Sequence, residues 1–192
     1  MSLVGATPIS RSMLGGEAPE VAPLLLGKIL ASSVGGERVV GRIIEVEAYT
    51  EADPASHTFR GPTDRNRVMF GPPGHLYVYL SYGIHRCVNV VTGTEGSGQA
   101  VLIRALELLD GVETARRRRA RPDRELADGP GKLCKALAIG AEHDGIDALA
   151  RSSDVMLLDD GVPPPRRPVT GPRIGISKGV DTPWRFRVSG PS

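Results

Sequence analysis

The chain is short of several things, and each shortage excludes something. Cys87 and Cys134 are its two cysteines in 192 residues. Two thiols build neither a disulfide framework nor a zinc site, which points to a reducing, intracellular setting. No apolar run approaches the ~20 residues that a membrane-spanning helix needs. The opening residues lack the charged start and apolar stretch of an export signal. Lysine is scarce: Lys28, Lys132, Lys135 and Lys178 stand against twenty arginines. Also missing are a glycine-rich dinucleotide fingerprint ahead of a helix, a phosphate loop and a cluster of metal ligands. What remains is a soluble protein of the cell interior that works without metal or cofactor and away from membranes.

Aromatic residues are scarce too, at 4% of the chain, but they are not scattered. All four tyrosines lie between Tyr49 and Tyr82, in the stretch IIEVEAYTEADPASHTFRGPTDRNRVMFGPPGHLYVYLSYGIHRCVNVV. The same window holds the pair Glu45 and Glu47 and, between the first and last tyrosines, two histidines, His57 and His75. Aromatic rings beside carboxylates in a polar, glycine-punctuated segment suggest a site that stacks on a flat group and does acid–base chemistry next to it. With 40% hydrophobic residues the chain can bury a real core, and a net charge of +2 permits a polyanionic partner without demanding one.

Residues 1–16 are small, polar and glycine-rich, and are expected to fray; residues 17–192 read as one domain. A helix is expected from Pro19, running into a strand near Lys28. The pair Gly35–Gly36 reads as a turn into a second strand, Arg38–Tyr49. Strict alternation there puts Val39, Gly41, Ile43, Glu45, Glu47 and Tyr49 on one side. From Glu51 to Gly74 four prolines mark a long irregular loop, and such a loop inside a compact domain is usually functional. His75–Leu80 alternates again, with Tyr77 and Tyr79 on one face. Ser81-Tyr82-Gly83 then reads as a tight turn with Tyr82 at its tip. Strands follow at Arg86–Val91 and Gln99–Ala105, helices at Gly111–Arg121 and Gly131–Ile139, and short strands after Val155. The class is α+β, with antiparallel strands central and helices packed late in the sequence.

On this pattern Glu45 and Glu47 are either the solvent face of a strand or a general base facing a pocket. Arg104 interrupts the apolar run AVLIRALELL (100–109). A buried arginine without a partner is very costly, so a strand glutamate is its economical partner. The densest charge, Arg116–Arg119 with Arg121 and Arg124, reads either as a solvated helix end bridged to Glu113 and Glu125 or as a phosphate-facing patch. Gly-Pro-Gly-Lys (129–132) before a helix could rest a phosphate on free amides. Stacking rings with nearby cations suit a nucleic-acid base, and equally a sugar or heterocycle.

The strings EVEAY (45–49), ASHTFRGPTDRNRVMFGPPGHLYVYLSYGIHRCVNV (55–90), VLIRALE (101–107), GPGKLCKALAI (129–139) and PRIGIS (172–177) go further. In that order they resemble the alkyladenine DNA glycosylases, the monofunctional 3-methyladenine (N-methylpurine) glycosylases of vertebrates and many bacteria. The resemblance runs from about Leu25 to Val188. It implies one curved antiparallel sheet flanked by helices, a fold shared with the C-terminal domain of formyltransferases, where it binds nucleic acid without chemistry of its own. It implies double-stranded DNA containing damaged purines as partner, no cofactor, a monomer, and a bacterial cytoplasm with association to the nucleoid.

By the same resemblance Glu47 is the base that activates water and Arg104 positions that water with it. Tyr49 and Tyr79 are walls of the base pocket, and His57 contacts the flipped base and its phosphate. Asn89 disfavours the exocyclic amino group of guanine, Tyr82 wedges into the duplex, and Lys132 touches the DNA backbone. Tyr77 is left a structural role. Alkylation at N3 or N7 makes the base a good leaving group; no lysine sits in the pocket motif to form a Schiff base, so base excision without strand cleavage is expected; hypoxanthine and ethenoadenine would need protonation. Ile84 and His85 depart from the methionine and aromatic of vertebrate members, and the long vertebrate N-terminal extension is not matched.

Overall fold

The computed structural model describes residues 5–189. Gly35 and Gly36 take φ of 68° and 73°, a left-handed conformation that costs glycine little. They turn the chain between strand β2 (Ile29–Ser32) and the long strand β3 (Val39–Tyr49), which pair antiparallel. Helix α1 (Ala18–Leu25) precedes them and buries Ala18, Val21, Ala22 and Leu25. After β3 comes a long loop whose regular structure is one 3-10 turn, Arg67–Phe70, and then the hairpin β4 (Leu76–Ser81) and β5 (His85–Thr92). Strand β6 (Gln99–Asp110) leads through Gly111 into α2 (Val112–Arg119), followed by α3 (Pro130–Leu137). Three short strands, β7 (Val155–Asp159), β8 (Val169–Gly171) and β9 (Arg185–Arg187), complete the described part.

With β1 (Thr7–Pro8), these form one curled antiparallel sheet in the order β1-β7-β2-β3-β6-β5-β4. β2 pairs with the first half of β3 and β9 with Glu45–Glu47 in its second half, while β6 lines the other edge. The inner face of the sheet meets α1 and α3, whose Leu25, Leu133 and Leu137 share one core cluster with Val46, Val88, Val101 and Ile103. The α+β class expected from the sequence is therefore what the chain adopts.

Near its middle the β3–β6 ladder changes register twice. Ile43 pairs with Leu106, Glu45 with Ala105 and Val46 with Ile103. Ile44 is thus an extra residue on β3 and Arg104 an extra residue on β6. An extra residue bends the strand and reverses the face that later side chains meet. Val39 and Ile43 reach the core before the bulge, Val46 and Ala48 after it. On β6 Leu106 reaches it on one side of Arg104, Ile103 and Val101 on the other. Unbroken alternation put Val39, Ile43, Glu47 and Tyr49 on one side; the bulge corrects that reading, turning Glu47 and Tyr49 away from the face that Val39 and Ile43 use.

The loose start expected for residues 1–16 is not seen from Thr7 onward. Thr7 and Pro8 pair with Asp159 and Leu158, and Ile9 and Leu14 are buried in the core. Two apolar side chains with core positions to fill outweigh a composition that favours fraying. Residues 1–4 lie outside the described part.

Gly111, at φ 72°, brings α2 against the start of β3. A Cβ at this position would overlap the Arg38 carbonyl oxygen. Gly111→Ala is expected to cost roughly 2–4 kcal/mol, seen as a lower urea midpoint at unchanged slope. A midpoint equal to the parent's would show that the β6–α2 corner yields freely.

Candidate active site

Where β3 ends, the sheet opens onto a cavity of about 450 Å³. Its walls come from Tyr49, the loop residues Ser56, His57 and Arg65, the β4–β5 hairpin, Leu102 and Arg104 of β6, Pro130 of α3 and the segment Ile174–Ile176. Alternation along β4 aims two tyrosines at it. The Tyr77 and Tyr79 rings stack with centroids 5.5 Å apart and planes 23° apart. His57 stands edge-on to Tyr79 at 4.6 Å, and its Nδ1 lies 2.9 Å from the Tyr77 hydroxyl. Across from them Tyr49 is backed by the Arg173 guanidinium, 4.7 Å from the ring centroid. Asn89 is buried beneath, its amide donating to the Tyr77 carbonyl at 3.1 Å.

Directly behind the cavity wall lies Glu47, with no exposed surface. Its Oε1 accepts the Ile174 amide at 2.7 Å and its Oε2 the Tyr49 hydroxyl at 2.8 Å. Arg104 Nη1 stands 3.2 Å from the same Oε2. Arg104 turns its Nε to Glu45 Oε1 at 3.2 Å, and that oxygen also accepts Arg185 Nη1 at 3.1 Å. Two acids and two guanidiniums therefore alternate through the bulge, which is how a carboxylate can be buried at tolerable cost. Tyr49, Arg104 and Ile174, the three partners of Glu47, all line the cavity.

Titration follows the burial. Burial, then the adjacent Glu47 charge, pushes the Tyr49 hydroxyl well above the ordinary phenol value. Burial does the same for Tyr79, and holds Tyr77 up to about 12. Burial against the rings, with the Arg65 charge beside it, lowers the His57 pKa and favours the neutral imidazole. Burial also raises the Cys87 thiol, which shares the cavity wall.

Seven of the eight residues singled out from the sequence meet here: Glu47, Tyr49, His57, Tyr79, Tyr82, Asn89 and Arg104. Tyr82 occupies the tip of the three-residue loop between Ser81 and His85, at φ 48° and 83% exposed, its hydroxyl 3.5 Å from the Gly175 carbonyl. Arg104 has the strand-glutamate partnership expected of it, with both glutamates rather than one. Lys132 is the exception. It lies outside the cavity wall, its Nζ on Asp128 at 2.9 and 3.0 Å, although its helix borders the cavity through Pro130. Tyr77, given only a structural role, lines the cavity as the second ring of the stack.

Other parts were not read from the sequence. Arg173 is a buried ion-pair partner of Asp53 and donates to the Ala48 carbonyl at 2.9 Å, tying the loop and the tail to the end of β3. Arg185, Arg65 and the Ile174 amide were missed as well. PRIGIS was visible as a string, but nothing in it tells that a backbone amide will meet a carboxylate 127 positions earlier. The arginine run resolves as a bridged helix end: Arg116 meets Glu113 and Asp123, and Arg117 and Arg118 meet Glu37.

Against known proteins, the family model described as Methylpurine-DNA glycosylase (MPG) matches residues 12–192. The chain belongs to the methylpurine-DNA glycosylase family. Relatives are similar along nearly their whole length. A Burkholderia lata protein, provisionally named 3-methyladenine DNA glycosylase, is 51% identical over 187 residues, covering 95% of this chain and 88% of its own. A Rhodopseudomonas palustris protein under the same provisional name is 50% identical, covering 95% and 88%. One from Streptomyces avermitilis is 47% identical, covering 94% and 87%. Membership makes this chain a DNA glycosylase, with DNA as the substrate.

The raised tyrosine pKa values set an alkaline limit. A phenol whose folded pKa exceeds its unfolded value of about 10 stabilises the fold below pH 10 and loses that contribution as pH climbs toward the folded value. Stability is expected to decline from about pH 10 upward, with Tyr49, Tyr77 and Tyr79 ionising late. Phenolate absorbance alongside circular dichroism checks this. Early ionisation of all four tyrosines in a still-folded protein would contradict the burial described.

Proposed function

We propose that the cavity receives an alkylated purine turned out of duplex DNA, and that Glu47 and Arg104 direct a water onto its anomeric carbon. The single observation that carries this reading is a fully buried carboxylate held just behind a tyrosine-walled slot by three residues that line it. A carboxylate has about four lone-pair positions. Three on Glu47 are taken by Ile174, Tyr49 and Arg104, which leaves one on Oε1 to accept a proton from water. The hydroxyl then joins the anomeric carbon as the N-glycosidic bond breaks, through an oxocarbenium-like state that the carboxylate charge favours. The bond electrons leave with the base.

A base alkylated at N3 or N7, such as 3-methyladenine or 7-methylguanine, starts out cationic, so those electrons neutralise it. Its positive charge also suits the faces of Tyr49 and Tyr79. A neutral lesion such as hypoxanthine or ethenoadenine needs a proton from an acid, and the tyrosines that burial holds high are poor donors at neutral pH. The slot therefore favours charged lesions. In this reading Tyr82, standing out from the hairpin tip, fills the space the purine leaves. His57 and Asn89 read the edge of the base, and Lys132 reaches the backbone only by leaving Asp128.

The competing reading, a nucleic-acid-binding module without chemistry, makes Glu47 dispensable. Glu47→Gln is expected to slow single-turnover release of 3-methyladenine from methylated duplex by about 10²–10⁴-fold, the usual worth of a general base, while duplex binding persists. Tyr82→Ala is expected to weaken binding and excision together. Parental excision by the Gln variant, with binding still lost in Tyr82→Ala, would favour the binding module.

A further inference from the structure

We infer that Glu45 and Arg185 are positioning residues for this hydrolysis, because together they set how strongly Arg104 holds the Glu47 carboxylate. The inference rests on Glu47 being the base. Glu45 and Arg185 stand one and two ion pairs beyond Arg104, which lines the cavity, and neither bonds Glu47 directly, so both act only through Arg104. Both belong to the row Arg185–Glu45–Arg104–Glu47, linked at 3.1, 3.2 and 3.2 Å. The side chains in this row are 22%, 21%, 13% and 0% exposed, so the row runs inward from a part-exposed end. Its backbone is fixed as well, since β9 pairs Arg187 with Glu45 and Arg185 with Glu47.

The row explains a geometry that one ion pair would not produce. An arginine beside a single buried carboxylate settles into a two-pronged pair and holds it as a spectator anion. Here the Nε of Arg104 is drawn to Glu45, and a single nitrogen, Nη1, reaches Glu47. Arg185 in turn draws on Glu45, and its Nε donates to the Pro172 carbonyl at 2.8 Å. That carbonyl opens the segment whose Ile174 amide meets Glu47. One arginine at the edge thus steadies two of the three groups that hold the catalytic carboxylate.

Charge balance around Glu47 falls to the same row. The other titratable groups near it are Tyr49 on β3, Tyr79 on β4 and Cys87 on β5, all driven toward their neutral forms by burial. Arg173, behind Tyr49, is neutralised by Asp53. Within the row two positive and two negative charges cancel. Deleting one outer charge leaves an excess whose sign depends on which is deleted, and that gives the test its signature.

Glu45→Gln leaves an excess positive charge beside Glu47. The acid limb of the single-turnover excision profile should move down by roughly half a pH unit or more, and the plateau rate should fall. Arg185→Gln leaves an excess negative charge and should move the same limb up. The double variant restores the balance and should return the limb close to the parent's. A purely structural role lowers rate and melting temperature without opposite shifts, so melting curves are recorded beside each profile. Limbs that stay put, or move in one direction in both single variants, overturn this inference while Glu47→Gln remains inactive. Parental activity in Glu47→Gln overturns the base assignment itself, and this inference with it.

Discussion

A strand that packs against a core along its whole length must point every second side chain into it. β3 has to do this and also present a carboxylate to a cavity, and its sequence spacing would turn that carboxylate inward with Val39 and Ile43. The paired bulge at Ile44 and Arg104 removes the conflict. It reverses the phase of both strands at once, so the ladder continues beyond it with Val46 against Ile103 and Glu47 against Leu102. The residue that β6 leaves over at this point is Arg104, the cation that Glu47 needs. A buried carboxylate without that neighbour would be destabilising by several kcal/mol. Bulge, ion pair and site are one device.

The cavity walls depend on a second buried pair. Loop 50–75 has one turn of 3-10 helix and no strand, so side chains must order it. Asp53 pairs with Arg173, and Arg173 holds the carbonyls of Ala48 and Gly179 while lying over Tyr49 and Trp184. The end of β3, the start of the loop and the distant tail are thereby fixed to one another behind the Tyr49 ring. The other end of the loop is held by Asn66, whose amide donates to the carbonyls of His57 and Gly61, and by Thr58, which donates to the Gly98 carbonyl. With His57 fixed this way, the stacked pair Tyr77 and Tyr79 has a firm neighbour. A slot that must exclude water and grip a flat group needs such rigidity.

Sequence reasoning reached what rests on local rules. Period-two alternation located β3, β4, β5 and β6, glycines located their turns, and the cost of a lone buried arginine gave Arg104 a glutamate. It failed where a choice depends on partners distant in the chain. Alternation cannot announce a bulge, because Ile44 and Arg104 become extra residues only once the register on both sides is set. Nothing near Arg173 or Arg185 marks them as partners of Asp53 and Glu45, more than a hundred positions away. The frayed start was misjudged for the same reason, since Thr7–Pro8 gains a strand only by meeting β7. The ambiguity between Glu45 and Glu47 was real: both are in the ion-pair row, and burial separates them, one part-exposed and the other sealed behind the cavity wall.

Charge placement ties fold to substrate. A protein that acts on DNA with a net charge of +2 has little long-range pull on a polyanion. Its densest cluster, the arginines of α2, is turned to the protein's own acids at Glu37, Glu113 and Asp123, and serves to fasten α2 to the start of β3. Internally paired guanidiniums contribute weakly at a distance, because the dipoles they form are screened within about a Debye length. At the cavity mouth Arg65 stands in the wall, and Tyr82 and Ile84 beside it are 83% and 72% exposed. Exposing two large apolar side chains together on a hairpin tip is unfavourable in water and becomes favourable once they are covered. In the proposed reading, covering that tip against the substrate would add to whatever charge contributes at close range.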